Sequence, residues 1–134
     1  MEQLTVSRVA RAAGVGIETI RFYEKRGLLE QPARRASRYR VYDDEAVDRI
    51  RFIKNAQGLG FTLNEISDLI ALERDSRAQC SDLQGRANDK IALIEKKLAE
   101  LERMRVELVR LSSACSGDQP LSECRLMNCL SGNC

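Results

Sequence analysis

From about residue 82 to residue 112 the chain carries an apolar stripe at helical spacing. This stretch contains no proline and no glycine other than Gly85. Its apolar positions follow one another in steps of three or four residues: Ala87, Ile91, Ile94, Leu98, Leu101, Met104, Leu108 and Leu111. The spacing predicts a single helix of about 25 to 30 residues with a coiled-coil seam.

A lone helix of this length needs a partner for its apolar stripe. The simplest partner is the same helix of a second chain, which predicts a homodimer. The alternative is a stripe that folds back on the N-terminal part of its own chain, because that part has some apolar surface to offer.

Composition limits the class of protein. The 134 residues are 31% charged and 4% aromatic with two prolines, which is typical of a mostly helical fold. The length suits one small domain with an appendage and leaves no room for two full enzyme domains. With no histidine, no nucleophile motif and no phosphate-binding glycine loop, the chain offers little for catalysis, so we expect no enzyme.

The N-terminus has no apolar signal region, and no stretch approaches the roughly 20 apolar residues that span a bilayer. We therefore expect a cytoplasmic protein with no membrane partner.

Basic charge is concentrated in the first part of the chain. Residues 1–55 hold twelve Lys or Arg against eight Asp or Glu, whereas residues 56–134 hold ten against twelve. Arg34, Arg35, Arg38 and Arg40 lie in one seven-residue window without an acid, which suits contact with a phosphate backbone. A solvated surface loop is an equally good interpretation of this run.

Two short helices around a glycine-containing turn are predicted near the N-terminus. The first covers Val6–Ala13 and stops at Gly14, and the second covers Ile17–Arg26 and stops at Gly27. The pair predicts a helix-turn-helix, whose second helix carries polar and basic groups toward DNA. An ordinary helical hairpin is the alternative.

The following segment predicts a small β-wing and two further helices. Alternation around Tyr39 and Val41 suits a wing that lays arginines on DNA, as in a winged helix-turn-helix. Asp43 and Asp44 are good N-caps for a helix through Ala56. Residues 62–65, Thr-Leu-Asn-Glu, form a capping box for the next helix.

Five cysteines stand at positions Cys80, Cys115, Cys124, Cys129 and Cys134. In a cytoplasmic protein we expect these thiols to be reduced, which favours metal binding or redox sensing. Cys80 is predicted just before the long helix and Cys115 just after it, so the two thiols of one chain lie roughly 50 Å apart. In an antiparallel pair of helices, Cys80 can instead meet Cys115 and Cys124 of the partner.

Thiolates select soft or borderline ions such as Hg(II), Cd(II), Pb(II), Zn(II) or Cu(I). The absence of histidine leaves thiolate-rich coordination, with an all-thiolate zinc site still open. The spacing alone leaves three alternatives: metal sensing, reversible thiol oxidation, and structural cysteines without a function.

Three runs of the sequence resemble the MerR family of regulators. They are VGIETIRFYEKRGLL at 15–29, RYRVY at 38–42 and LGFTLNEI at 59–66. The likeness extends through essentially the whole chain. It implies an all-α fold with a winged helix-turn-helix DNA-binding domain at 1–74, an antiparallel coiled-coil dimerisation helix at 75–114, and a metal-binding loop and tail at 115–134.

The resemblance also implies a mechanism. A homodimer holds double-stranded promoter DNA, whose spacer is too long for RNA polymerase until the regulator distorts it, and metal binding turns the repressor into an activator. Six residues match the family's DNA-contacting positions: Thr19, Arg21, Tyr23, Lys25, Arg38 and Arg40.

The cysteine arrangement resembles the mercury-responsive branch of the family. That likeness implies a trigonal Hg(II) site of Cys80 from one chain with Cys115 and Cys124 from the other. The presence of Cys80 argues for a divalent ion. Cys129 and Cys134 are similar to the tail cysteines of lead- and cadmium-responsive members, so Cys129 is a candidate extra ligand. Pb(II), Cd(II), Zn(II) and thiol redox sensing remain alternatives, as does a tail with no specific role.

Overall fold

The computed structural model describes residues 4–31 and 41–134. Its helices are α1 (Val6–Ala13), α2 (Ile17–Lys25), α3 (Asp44–Gly58), α4 (Leu63–Arg74), α5 (Cys80–Ser113), a short 3₁₀ helix (Leu121–Glu123) and α6 (Arg125–Leu130). The predicted all-helical fold is thereby confirmed. The chain divides into two compact units, residues 1–86 and residues 87–134.

Local capping explains where α1 and α2 begin and end. The Thr5 side chain accepts a hydrogen bond from the Arg8 N–H at 3.4 Å and opens α1. Gly14 adopts a left-handed φ of 71°, and its N–H bonds back to the carbonyls that α1 leaves open. The second helix ends at Lys25 with Arg26 as its C-cap, one residue earlier than the sequence predicts.

The predicted caps of α3 and α4 are confirmed. Asp43 caps α3 through a side-chain bond from the Ala46 N–H at 3.1 Å. Thr62 and Glu65 form the capping box of α4, with bonds of 2.9 and 3.1 Å in the two directions. Both caps satisfy backbone N–H groups that the first turn of a helix cannot pair.

The first unit is built around one apolar core. Its five largest fully buried side chains come from all of the first four helices: Val9, Ile20, Ile50, Ile53 and Ile66. Burial of side chains of this size stabilises the fold by about 1.5–3 kcal/mol each. The core therefore fixes α1 and α2 against α3 and α4, and it determines which faces of α2 stay outside.

Tyr42 lies near the start of the second described range, 41–134, and anchors this part of the chain to the core. It pairs with Leu4 in an antiparallel bridge with two backbone bonds of 2.8 Å. Its buried hydroxyl donates to Glu24 Oε1 at 2.6 Å. The predicted wing covers residues that lie mostly outside the described ranges, so the wing stays a prediction.

Helix α5 is longer than predicted and starts earlier. Cys80 is its first residue rather than a residue before it, which corrects the sequence interpretation. The reason is a cap upstream of the predicted start, because the Asp82 carboxylate accepts from the Gln79 N–H at 2.8 Å. No helix among the described residues is long and apolar enough to cross a membrane.

The second unit leaves most of its large apolar side chains exposed. On α5, Leu98 and Leu101 are each 60% exposed and Met104 is 59% exposed. Most of the stripe that predicts a coiled-coil seam is therefore open within one chain, and Leu111 is its buried exception. The segment after α5 contains the 3₁₀ helix and α6, whereas the sequence predicts only a loop there, because six residues are too few to show a helical period.

Candidate DNA-binding helix and thiol pair

Three of the predicted DNA-contacting side chains lie outside the core on α2. Arg21 and Lys25 are exposed and Thr19 is half-buried. Ile20 holds the opposite side of the helix in the core with no exposed surface. Arginine and lysine on the second helix of a helix-turn-helix are the groups that reach phosphates and base edges. The geometry of α2 is therefore compatible with contact to DNA.

Tyr23, the fourth predicted contact on α2, has a structural role in this chain. The side chain is 3% exposed, and its hydroxyl donates to Gln57 Oε1 at 2.7 Å. Burial raises the pKa of the Tyr23 hydroxyl. The exposed ring at this end of α2 is Phe22, which is 46% exposed. Sequence reasoning passed over both Phe22 and Gln57, since neither belongs to a charged pattern.

Not all of the basic charge in residues 1–55 is available for DNA. Arg51 donates to the Ala12 carbonyl at 2.8 Å, and Lys54 donates to the Gly14 carbonyl at 3.0 Å. These two cations of α3 thus close the C-terminal end of α1 and stabilise the turn before α2. The other two predicted contacts, Arg38 and Arg40, lie outside the described residues.

The structure brings Cys115 and Cys124 together in the second unit. Both thiols are free and half-buried, and the Cys115 side chain is one of the groups that lower the pKa of the Cys124 thiol. Cys124 is also the N-cap of α6. The backbone N–H groups of Met127 and Leu126 and the Cys115 side chain lower the pKa of the Cys124 thiol, against a smaller opposing effect of burial. Since the thiolate is the metal-binding form, this geometry favours a ligand.

Cys80 carries a free, exposed thiol at the first residue of α5. Among residues 4–31 and 41–134 of a single chain, no three His, Cys, Asp or Glu side chains form a group that could hold a metal. One chain thus offers a pair of adjacent thiols rather than a complete trigonal set.

Cys129 and Cys134 depart from the expectation of five reduced thiols. They form a disulfide, with Cα atoms 4.2 Å apart. The turn after α6 brings the two residues together, a consequence that their spacing alone does not reveal. In this form the Cys129 sulfur is bonded to Cys134 and is not a free ligand.

Two family descriptions match this chain. Residues 4–73 match "MerR HTH family regulatory protein", and residues 47–111 match "MerR, DNA binding". The first match covers more than half of the chain and contains the whole of α1 to α3. The chain belongs to the MerR family.

One curated relative supports this membership over the full length. The "Mercuric resistance operon regulatory protein" of Serratia marcescens is 39% identical over 132 residues, which cover 98% of this chain and 90% of that protein. The chain is therefore a MerR-family transcription regulator with a DNA-binding domain, and not an enzyme.

Two solved structures share the architecture of this MerR-family chain. The transcription regulator PbrR691 from Ralstonia metallidurans CH34, in complex with lead(II), matches with a TM-score of 0.85 and 30% identity, covering 95% of this chain and 98% of that one. The dual function transcriptional regulator MerR from Bacillus megaterium MB1, in complex with mercury(II), matches with a TM-score of 0.72 and 36% identity, covering 91% and 94%. The similar relatives thus include proteins bound to two different soft metals.

Proposed function

We propose that this MerR-family regulator binds promoter DNA as a homodimer and activates resistance genes when Hg(II) binds to its cysteines. RNA polymerase acts on the same promoter, and the protein works in the cytoplasm. The observation that carries the proposal is the pair of free thiols at Cys115 and Cys124, where the Cys115 side chain helps to lower the pKa of Cys124.

The donor set fits a soft metal ion. Two adjacent thiols supply two ligands of the kind that Hg(II), Pb(II) and Cd(II) prefer over oxygen donors. A bound ion of this class would draw the thiolates into one rigid unit. The N–H groups of Leu126 and Met127 stabilise the Cys124 thiolate before any ion arrives, which reduces the cost of deprotonation.

The third ligand in this proposal is Cys80 of the second chain. Helix α5 is one uninterrupted helix of 34 residues. At about 1.5 Å per residue such a helix is roughly 50 Å long, and Cys80 is its first residue while Cys115 follows its end. In an antiparallel pair the start of one helix lies beside the end of the other. The exposed stripe of α5 supports such a pair.

DNA contact is assigned to Thr19, Arg21 and Lys25 on α2, together with Arg38 and Arg40, which lie outside the described residues. Tyr23 joins this set only if its hydroxyl exchanges Gln57 for a phosphate oxygen. The dimer holds DNA with and without bound metal, and metal binding stabilises a different angle between the DNA-binding domains of the two chains. Deformation of the central base pairs then carries the signal to RNA polymerase.

Mercury is the proposed effector because the full-length relative and one similar structure are mercury proteins by name. Lead is the second candidate, because the lead-bound structure has a TM-score of 0.85 with this chain. Cd(II) and Zn(II) are further alternatives with the same thiolate preference. A fourth thiolate from Cys129 would first require reduction of its disulfide.

The first experiment is a competitive titration of the full-length protein with Hg(II), Pb(II), Cd(II) and Zn(II) in excess glutathione. We expect one Hg(II) per chain, with binding lost in Cys80→Ser, Cys115→Ser and Cys124→Ser. The matched control is the double variant Cys129→Ser/Cys134→Ser, which should bind like the wild type. Preferential retention of Pb(II) that depends on Cys129 would transfer the proposal to lead. Retention of no metal would overturn it in favour of thiol oxidation.

A second experiment tests whether each site spans two chains. Cys80→Ser and Cys124→Ser each remove both sites of their own homodimer. A mixed dimer of the two variants places both defects in one site and leaves the other intact. After exchange of subunits about half of the dimers are mixed, so metal capacity should recover to about a quarter of the wild-type value. No recovery would exclude a site shared between chains.

A further inference from the structure

The C-terminal end of α6 folds the chain back on itself. The Gly132 N–H donates to the Cys129 carbonyl at 3.0 Å, and the Asn133 N–H donates to the Asn128 carbonyl at 2.8 Å. Gly132 has a left-handed φ of 86°. This pair of bonds around a left-handed glycine is the Schellman motif, which reverses the chain after a helix. The reversal returns Cys134 to Cys129, with 4.2 Å between their Cα atoms.

The four cysteines after α5 therefore fall into two pairs with different chemistry. Cys115 and Cys124 are adjacent but remain free thiols. Cys129 and Cys134 are joined in a disulfide. The second pair lies within six residues of sequence and depends on a local turn, so it needs no contribution from the proposed metal ligands.

We propose that Cys129 and Cys134 form a reversible redox site, a dithiol that closes to a disulfide when the glutathione pool becomes oxidised. In a reducing compartment the pair is expected to be open, since glutathione keeps cytoplasmic thiols reduced. The site goes beyond the proposed metal response, because its reaction needs neither metal nor DNA.

The chemistry balances with glutathione disulfide as the oxidant. The exposed Cys134 sulfur, as thiolate, attacks one sulfur of glutathione disulfide, which breaks that S–S bond and releases one glutathione thiolate. The Cys129 thiolate then attacks the Cys134 sulfur of the mixed disulfide and releases the second glutathione. The protein loses two protons and two electrons, and one glutathione disulfide becomes two glutathione molecules.

Closure of the pair changes the number of thiols in residues 115–134 from four to two. Cys115 and Cys124 keep their thiols in both states, whereas Cys129 is a free sulfur ligand only in the open state. Oxidation therefore withdraws Cys129 without consuming the thiol pair on which the proposed metal site depends.

The test uses the full-length protein in glutathione buffers of increasing oxidation, with a chelator to remove metals. Free thiols are trapped with N-ethylmaleimide, and tryptic peptides are measured by mass spectrometry. Trypsin cuts after Arg110 and Arg125, so Cys115 and Cys124 fall on one peptide and Cys129 and Cys134 on the next. We expect the second peptide to lose about 2 Da and both labels on oxidation, while the first peptide keeps its labels.

Variants separate this site from the other cysteines. Closure should persist in Cys115→Ser and Cys124→Ser and should disappear in Cys134→Ser. A failed metal titration with normal closure would sink only the proposed function. Three results would overturn the redox site: a pair that stays open in the most oxidising buffer, a disulfide that joins Cys129 to Cys115 or Cys124, or a disulfide between two chains.

The turn itself provides a finer test. A Cβ at Gly132 would meet no atom within 4 Å, so Gly132→Ala changes the backbone preference and not the packing. The left-handed φ disfavours alanine, and we expect the equilibrium constant for closure to fall about tenfold. Ser131→Ala, one residue earlier and without a positive φ, is the matched control and should close like the wild type. Equal closure in both variants would show that the turn does not position the pair.

Discussion

The two units of this chain treat their large apolar side chains in opposite ways. In residues 1–86, Ile20, Ile50, Ile53 and Ile66 have no exposed surface. In residues 87–134, most apolar side chains of similar size on α5 are at least 42% exposed, with Leu98 and Leu101 each at 60%; Leu111 is the buried exception. The first unit therefore completes its core within one chain, whereas the stripe of α5 leaves apolar side chains that only a further apolar surface could cover.

The polar contacts also differ between the two units. The first unit has bonds that join different helices, such as Tyr23 to Gln57 and Arg51 to the Ala12 carbonyl. On α5 the ion pairs of Arg105 with Glu102 and of Arg110 with Glu107 each lie within one helical turn. Exposed pairs of this kind stabilise a helix only slightly, because solvent screens them, and they do not fix a tertiary fold.

The largest effect should come from a charge in the open stripe. Leu101→Asp places a carboxylate in the proposed dimer seam of both chains, where it loses the apolar burial and must be desolvated. We expect the dimer dissociation constant to rise at least about 100-fold, measured by sedimentation equilibrium. The control is Lys96→Asp, an exposed residue on the opposite face of α5. An unchanged dimer dissociation constant in Leu101→Asp would show that the stripe is not the dimer interface.

A core truncation in the first unit should lower its free energy of unfolding by the same amount at every protein concentration. Ile53→Ala removes a side chain with no exposed surface, and we expect a loss of about 2–5 kcal/mol in the free energy of unfolding. Urea denaturation followed by circular dichroism at two protein concentrations measures it. Leu98→Ala is the counterpart on α5, and its effect should depend on concentration. If Ile53→Ala showed the stronger concentration dependence, the first unit would not be self-sufficient.

A smaller effect on stability is expected at Tyr23, where DNA affinity can separate a structural role from a DNA contact. Tyr23→Phe removes one hydrogen bond to Gln57 and should cost about 1 kcal/mol of unfolding free energy. Gln57→Ala removes the same bond from the other side and should match it in stability. DNA affinity, measured by fluorescence anisotropy at fixed salt, distinguishes the roles. A loss in Tyr23→Phe that is absent in Gln57→Ala would assign the hydroxyl to DNA, and equal affinities would leave it a structural group.

The smallest effect concerns the pH dependence of Cys124. Backbone N–H groups hold its pKa below the ordinary thiol value in the folded protein. The thiolate is thus favoured by folding, and this stabilisation is present above the unfolded pKa and lost as the pH falls through the folded pKa. The pH midpoint for alkylation of Cys124 should be lower in folded protein than in urea. Identical midpoints would contradict the role of the α6 N-terminus.

Much of this architecture could be predicted from local sequence signals. The bounds of α1, the Asp43 cap and the Thr62–Glu65 capping box are all properties of a few neighbouring residues, and all are confirmed. The start of α5 was predicted two residues too late, because the Asp82 cap lies upstream of the apolar stripe. Helix α6 was missed because six residues carry no periodic signal. The assignment of the metal ligands and DNA contacts remains a prediction.

The helical class, the turn at Gly14, the stripe of α5 and the family can all be predicted without a structure, because they depend on spacing and on residues close together in the chain. Only the tertiary structure decided that Tyr23 is buried against Gln57, and that Arg51 and Lys54 serve the end of α1. It also decided that Cys124 meets Cys115 while Cys129 meets Cys134. Burial and pairing depend on which groups come into contact when the chain folds, including groups far apart in the sequence. Residue spacing does not determine those contacts directly.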